Sequence, residues 1–194
     1  MKTVIDLLIT ALYTVFVQNL VMCSGLGMSE AMRISPRPNT FIRFAVMISG
    51  FSTVTSIACN LIGSHLHSVT SAIVRAAVYA GILALLYIAV AVVINILVND
   101  KELMGILGIA ALNTLVLAVP YINDSAAYST ADCIGSGLGA GFAFVLAAAL
   151  IGSGARAIEK NKHIPEVFKG TPAMFFYVGM ISLGFLGFTG TKLF

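Results

Sequence analysis

Hydrophobic residues run in long blocks along this chain, and polar residues gather in the gaps between them. Six blocks approach the roughly 20 mostly apolar residues that a membrane-crossing helix needs. They cover about 3–25, 40–63, 71–98, 103–120, 131–155 and 171–192. The gaps carry stop signals: "SPRPN" after the first block, "GSHLHS" after the second, "VNDKE" after the third, "YINDS" after the fourth and "EKNKHIPEVFKGTP" after the fifth. The pattern predicts an all-α polytopic membrane protein with six transmembrane helices in a single membrane domain, 1–194.

Two blocks break the pattern. The first, within "TVFVQNLVMCSGLGMSEAMRIS" (14–35), sets Gln18 and Asn19 side by side at membrane depth and then places Gly25 and Gly27. The fourth, "KELMGILGIAALNTLVLAVPYIND" (101–124), has Asn113 and Thr114 at its middle, and Pro120 and Asn123 are expected to end it early. Three blocks precede the fourth, so "QNLVM" and "LNTLVL" hold matching places in two halves, approximately 1–99 and 100–194. An odd number of spans per half inverts one half relative to the other. Paired, interrupted segments in inverted halves point to a site at the membrane midplane. Polar groups at that depth are costly unless they face protein, a ligand or water. The expectation is two broken helices meeting near the membrane centre. Gln18, Asn19, Ser29, Asn113 and Thr114 would line their tips, with non-helical backbone around Gly25 to Ser29. The other reading is that Asn19 and Asn113 merely hydrogen-bond neighbouring helices. The residues leave both open.

Composition narrows the class further. The chain is 59% hydrophobic and only 10% charged, where a soluble domain carries about 25% charged residues. Its mean hydropathy is +0.99, so the lipid bilayer must cover much of the surface. If all six blocks span, one face holds Arg33, Arg37, Arg43, Lys101, Arg156, Lys160, Lys162 and Lys169, and the other only Lys2, Arg75 and Lys192. That bias places both termini outside, in a cell inner (cytoplasmic) membrane. The basic residues lie in loops rather than in a patch, which argues against nucleic-acid binding. Asp6 interrupts the first apolar block and no small-residue cleavage site follows, so this block reads as the first span and not as a cleavable signal. No stretch of the 194 residues is left over for a nucleotide- or flavin-binding module.

Side chains with chemistry are sparse. Cys23, Cys59 and Cys133 lie in apolar blocks without C-x-x-C spacing, and read as small buried hydrophobes rather than as a disulfide or zinc set. "GSGLGAG" (135–141) follows no strand, so it reads as close helix packing and not as a dinucleotide loop. His65 and His67 read as an outside interfacial loop, and His163 lies in a charged loop. Lys160, Lys162 and Lys169 read as topology signals. Asp6 and Asp132, at the outer ends of spans, are the candidates for cation contact, although a helix-end carboxylate at headgroup level is the ordinary reading. No Ser/His/Asp set, paired catalytic carboxylates or phosphate loop is present, so self-contained catalysis and a resident metal site are not expected.

Four stretches together resemble a known family. "FVQNL…GLGMS…RIS", "LMGILGIAALNTLVLAV", "GSGLGAGFAFVLAAALIGSGARAIEK" and "IPEVFKGTPAMFFYVGMISLGFLGFTG" follow, in order, the membrane subunits of Rnf and Na⁺-translocating NADH:quinone oxidoreductase complexes, closest to the RnfA and NqrE type. The resemblance implies two inverted three-helix repeats with the N-terminus outside. It also implies a paralogous partner of opposite topology, and a mid-membrane [2Fe–2S] cluster held by one cysteine from each half. That cluster relays electrons across the bilayer and helps couple them to ion movement. Laid on the family motifs, Ser29 stands where the first cysteine belongs and Thr114 where the second belongs. Hydroxyls are harder ligands than thiolates and far harder to deprotonate, so cluster ligation is expected to be lost. Cys23, six residues before Ser29, has no partner cysteine near Asn113.

The implied function is an integral membrane subunit of an Rnf/Nqr-like ion-translocating electron-transport complex. It would have a scaffold or coupling role without its own iron–sulfur ligation, and would at most be a non-catalytic subunit of a redox-driven oxidoreductase. Its partners would be the opposite-topology paralogue and other Rnf/Nqr-like subunits. The alternative is a stand-alone small transporter of a cation or small polar solute that uses the former cluster site. A fully electron-carrying subunit would need cluster ligands from elsewhere.

Overall fold

The computed structural model describes residues 2–36, 38–66, 71–98 and 100–190, and among them every regular element is helical. In chain order they are α1 (Lys2–Phe16), α2 (Leu20–Ser24), α3 (Met28–Ile34), a 3-10 turn at Pro38–Thr40, α4 (Phe41–Leu66) and α5 (Ala72–Leu97). Then come α6 (Lys101–Ala111), α7 (Thr114–Ser125), α8 (Thr130–Lys160) and α9 (Thr171–Phe188). Six apolar units are long enough to cross a bilayer: Thr3–Ser24, Phe41–Gly63, Ala72–Leu97, Lys101–Ser125, Thr130–Lys160 and Thr171–Phe188. These match the six blocks read from the sequence, and the chain is a multi-pass membrane protein. The first and fourth units are each built from two helices, α1 with α2 and α6 with α7.

Helix α8 is the axis of the bundle, and its glycine run explains how. At 100° per residue, positions two apart point to nearly opposite sides while positions four apart share a face. Gly135 and Gly139 therefore share one side and Gly137 and Gly141 the other. A side chain on Gly135 would meet the Leu7 carbonyl, and one on Gly139 would lie 2.8 Å from the Ala11 carbonyl oxygen, so this side receives α1. Gly137 lies against Thr53, and Gly141 against Ser49 and Ala45, so the opposite side receives α4. The pairings rise together along α1 and fall along α4. Helix α8 thus runs parallel to α1 and antiparallel to α4, as six alternating spans require. Lower down, Gly154 makes room for the Tyr177 ring of α9, whose hydroxyl donates to the Leu150 carbonyl at 3.1 Å. The sequence reading of 135–141 as close packing holds.

Helices α5 and α9 sit at the periphery, mostly apolar around their circumference and largely uncovered by the chain itself. Their exposed Ile73, Leu85, Ile96, Phe175 and Met180 suit lipid or another membrane chain.

Polar side chains stitch α4, α5, α7 and α8 at the end that carries the α4–α5 and α7–α8 connections. Buried Asn123 donates to the Ser56 hydroxyl at 3.2 Å and accepts from the Ser136 hydroxyl at 2.8 Å, which ties three helices at one residue. Arg75 Nε pairs with Asp124 Oδ2 at 3.2 Å, and Gly63 leaves space for the Tyr79 hydroxyl beside Asp124. Asn60 donates to the Tyr128 carbonyl at 2.8 Å. This corrects the expectation for the fourth span. "YINDS" is not a stop: α7 continues through Pro120 to Ser125. The proline removes one N–H bond to the preceding turn, but Val119, Pro120 and Asn123 are buried, and this packing holds the helix on course.

Candidate functional site

In the first span the backbone leaves the helix twice. Helix α1 ends at Phe16, and the Tyr13 carbonyl accepts from both Val17 and Gln18 as the ladder loosens. Asn19 then closes the gap. Its amide donates to the Val15 carbonyl at 2.9 Å, and its oxygen accepts from the Met22 N–H at 3.1 Å as the cap of α2. One fully buried side chain therefore satisfies a carbonyl freed by the end of α1 and an N–H freed by the start of α2.

After one turn, α2 ends in a Schellman turn. Gly25, at φ +70, and Leu26 donate to the Val21 and Leu20 carbonyls, each at 3.1 Å. Gly27, at φ +76, then starts α3. The sequence reading placed non-helical backbone at Gly25 to Ser29. The structure confines it to Gly25–Gly27, adds an earlier break at Val17–Asn19, and puts Ser29 inside α3.

The fourth span breaks once, at Leu112–Asn113. Asn113 caps α7 as Asn19 caps α2, its oxygen accepting from the Val116 N–H at 3.0 Å. The asparagines of "QNLVM" and "LNTLVL" thus do the same work in the two halves. Their other ends differ. Asn19 Nδ2 has the Val15 carbonyl, while Asn113 Nδ2, equally inaccessible, has no acceptor among the described residues.

The two breaks meet. The Gly27 N–H donates to the Thr114 hydroxyl at 3.0 Å. A side chain on Gly27 would lie 3.1 Å from Leu115 Cβ and 3.8 Å from the Phe144 ring. Thr114 follows the thirteenth of the 25 residues Lys101–Ser125, and Phe144 is the fifteenth of the 31 residues of α8, so the contact lies at mid-span. Ser29 and Thr114 are both exposed on the outside of the bundle, and the Ser29 hydroxyl donates to Glu30 at 2.8 Å. Gln18 is half-buried beside the first break.

Thr114 lies between two hollows on the face shared by α5 and α7. One, of about 190 Å³, is lined by Ala80, Leu83, Leu112, Asn113, Thr114 and Leu117. The other, of about 320 Å³, lies between Leu26, Ala76, Tyr79, Thr114 and Tyr121.

Other candidates stand apart from this place. Asp132 forms a capping box with Ser129 at the start of α8 and accepts from the Thr10 hydroxyl at 2.8 Å, so helix capping and this bond occupy both its oxygens. Asp6 is half-buried on α1. Cys23 is half-buried with its thiol 3.9 Å from the Val17 carbonyl, while Cys59 and Cys133 are buried on α4 and α8. His67 and the side chain of His65 lie outside the described residues, and the exposed His163 sits in the α8–α9 connection. Among the described residues no three His, Cys, Asp or Glu side chains gather as a metal-ligand set. Ser56 and Ser136 escaped the sequence reading, and Asn123 entered it only as a helix terminator, although polar residues at helical spacing in α4 (Ser52, Thr55, Ser56) were a visible signal.

The chain matches the family model described as "Rnf-Nqr subunit, membrane protein" over residues 7–192. It is 31% identical over 189 residues to a subunit of the ion-translocating oxidoreductase complex of Pasteurella multocida, covering 91% of this chain and 93% of that one. It is 29% identical over 193 residues to a subunit of the Na⁺-translocating NADH-quinone reductase of Pseudomonas paraeruginosa, covering 92% and 95%. With a subunit of the Rhodobacter capsulatus ion-translocating oxidoreductase complex it shares 28% over 190 residues, covering 95% and 97%.

Proposed function

The chain belongs to the Rnf-Nqr membrane-subunit family, and on that premise we propose that it is an integral membrane subunit of an ion-translocating electron-transport complex. Its relatives are named as subunits of such complexes and match it over nearly their whole length, so other subunits are its partners. One of these is a paralogue of opposite topology. The membrane is the inner, cytoplasmic one with both termini outside, a placement supported by the eight-to-three division of basic residues between the two faces.

The observation that carries the site reading is the Gly27–Thr114 hydrogen bond, which joins the breaks of the two halves at mid-span. Its chemistry does not suit a [2Fe–2S] cluster. Ser29 and Thr114 offer hydroxyls where the family motif has thiols, and Thr114 already accepts a backbone N–H. Iron–sulfur clusters take soft thiolates, and a membrane interior disfavours ionising a hydroxyl. The chain keeps the broken-helix scaffold and contributes to coupling without ligating a cluster. The stand-alone transporter is not favoured, since relatives covered over more than nine-tenths of their length are complex subunits.

The test is to tag the chain in its native host, extract it in mild detergent and identify co-purifying proteins by mass spectrometry. Flavin- and iron-containing subunits of an Rnf- or Nqr-like complex are expected. Recovery of this chain alone, as monomer or homodimer, sinks the proposal. Iron that stays with the isolated chain after the other subunits are removed would sink its cluster-free part.

A further inference from the structure

The two asparagine caps differ in one respect that points to a ligand. Asn19 uses both ends of its amide, but Asn113 uses only its oxygen, and its Nδ2 is buried in a residue 5% exposed, without an acceptor among the described residues. A buried amide donor left unsatisfied costs about 1–3 kcal/mol, and more than usual in a membrane, where no bulk water relieves it. Asn113 lines the 190 Å³ hollow. Thr114 stands beside it and lines both hollows. Its oxygen accepts from Gly27, and its own proton has no acceptor among the described residues. Asn113 and Thr114, each with an unused donor, therefore border an apolar groove between α5 and α7. Buried hydroxyls of Ser52, Thr53 and Thr55 also lack partners among the described residues, but they line neither hollow, and the hydroxyl of Tyr79, which lines the larger one, lies beside Asp124 at Gly63.

Two donors in apolar walls select an acceptor. A cation is disfavoured because N–H and O–H groups present their positive ends. An anion is disfavoured because neither hollow is lined by a charged side chain. What fits is a neutral carbonyl oxygen, and depth narrows its source. Asn113 has 12 residues of span on either side, about 18 Å at 1.5 Å per residue. Lipid ester carbonyls lie at the edge of a hydrocarbon core about 30 Å thick, far from this depth. A carbonyl compound that dissolves within the hydrocarbon reaches it.

We propose that the α5–α7 groove binds the head of a lipid-soluble quinone, one carbonyl oxygen accepting from Asn113 Nδ2 and the Thr114 hydroxyl. The choice of quinone rests on the electron-transport reading above. The geometry alone asks for a neutral, membrane-soluble carbonyl.

The experiment uses the complex purified through this chain, reconstituted in lipid nanodiscs and labelled with an azido-benzoquinone in competition with ubiquinone-1. Label is expected within 76–83 and 112–121 and is displaced by the competitor. Ala80→Phe, which fills the hollow without touching either donor, should abolish it. Asn113→Ser keeps an oxygen to cap α7 but removes the amide donor, and should weaken binding about 3- to 10-fold. Both variants are checked for unchanged subunit recovery, so that lost label is not lost fold.

Label elsewhere, or label indifferent to Ala80→Phe, overturns the proposal. So does the absence of label together with cross-linking of Ala80→Cys to another subunit, which would make a protein carbonyl the occupant. A chain that purifies alone yet takes the label in this groove refutes the complex, not this site. A complete complex without label does the reverse.

Discussion

The backbone N–H of Gly27 donates to the hydroxyl of Thr114 at 3.0 Å, and the two residues are 87 positions apart in the chain. The donor belongs to the turn that interrupts the first span, and the acceptor opens the helix that resumes the fourth. Interrupted backbone within a bilayer must place its freed groups on something. Here the hydroxyl that opens α7 satisfies an N–H freed by the first break, which ties the two breaks together.

Gly27→Ala should therefore cost more than Gly25→Ala, although both glycines have left-handed backbone. A left-handed alanine costs roughly 1–2 kcal/mol at either position. At Gly25 the new methyl meets nothing within 4 Å, whereas at Gly27 it sits 3.1 Å from Leu115 Cβ in the contact between the breaks. An additional loss of about 1 kcal/mol is expected at Gly27. Thermal unfolding of the two variants in detergent checks it, and equal shifts would mean that the interface between the breaks can yield.

The asparagines give a second ordering. Asn19→Ala strips both the Val15 carbonyl and the Met22 N–H of their partner, in a fully buried place. Loss of the cap costs about 1 kcal/mol, and each orphaned buried group adds about 1–3 kcal/mol. Asn113→Ala orphans only the Val116 N–H and removes a donor that had no partner among the described residues. In the isolated chain, Asn19→Ala should be the more damaging by about 1–3 kcal/mol, read as the difference in unfolding free energy. In the full complex the gap should narrow if the groove beside Asn113 is occupied there.

Much of this was legible in the sequence, and the illegible part has a physical cause. Block length and hydropathy sufficed for the six spans, because a bilayer tolerates few alternatives to a helix of that length. The midplane polar residues stood out because Asn19, Asn113 and Thr114 are costly in hydrocarbon. What Asn19 does there was not legible, since an amide that staples two ends of its own backbone looks the same in sequence as one that reaches a neighbouring helix. Pro120 and Asn123 misled for a related reason. Local rules end a helix at such residues, but burial of Val119 and Pro120 and the Ser56–Asn123–Ser136 network carry α7 onward, and these contacts come from elements 13 and 67 residues away. Asp132 drew attention as a charge near a span end, and its neighbour Ser129 already formed the capping signal that accounts for it.

The glycines of α8 and α9 should respond with opposite sign to the same substitution. Gly139→Ala drives a methyl to 2.8 Å from the Ala11 carbonyl oxygen, a backbone atom that moves only if α1 moves. A loss of roughly 1–3 kcal/mol is expected. Gly184 and Gly187 in α9 have nothing within 4 Å of the added methyl, so alanine there should stabilise by about 0.5–1 kcal/mol through helix propensity. Paired thermal melts decide it. If Gly184→Ala or Gly187→Ala weakens recovery of other subunits while stabilising the isolated chain, α9 is a contact face in the complex.

The proposed replacement of the family thiols by Ser29 and Thr114 is testable in the reverse direction. Ser29 lies two residues after Gly27, no more than ~7 Å along the chain, and Gly27 touches Thr114. Both side chains are exposed at mid-span. Ser29→Cys combined with Thr114→Cys would therefore set two thiols on one outward patch, half of the four that a [2Fe–2S] cluster takes. The other two must come from a second chain, so the double variant should bind iron only when paired with a cysteine-bearing paralogue, and each single variant should fail to hold a cluster. Anaerobic reconstitution with iron and sulfide, followed by visible absorbance and EPR of the reduced sample, reads the outcome. A [2Fe–2S] signal in the paired double variant alone means that two substitutions separate this scaffold from a cluster-binding one. If the paired double variant stays iron-free while its subunits assemble, Ser29 and Thr114 do not stand at the family's ligand positions.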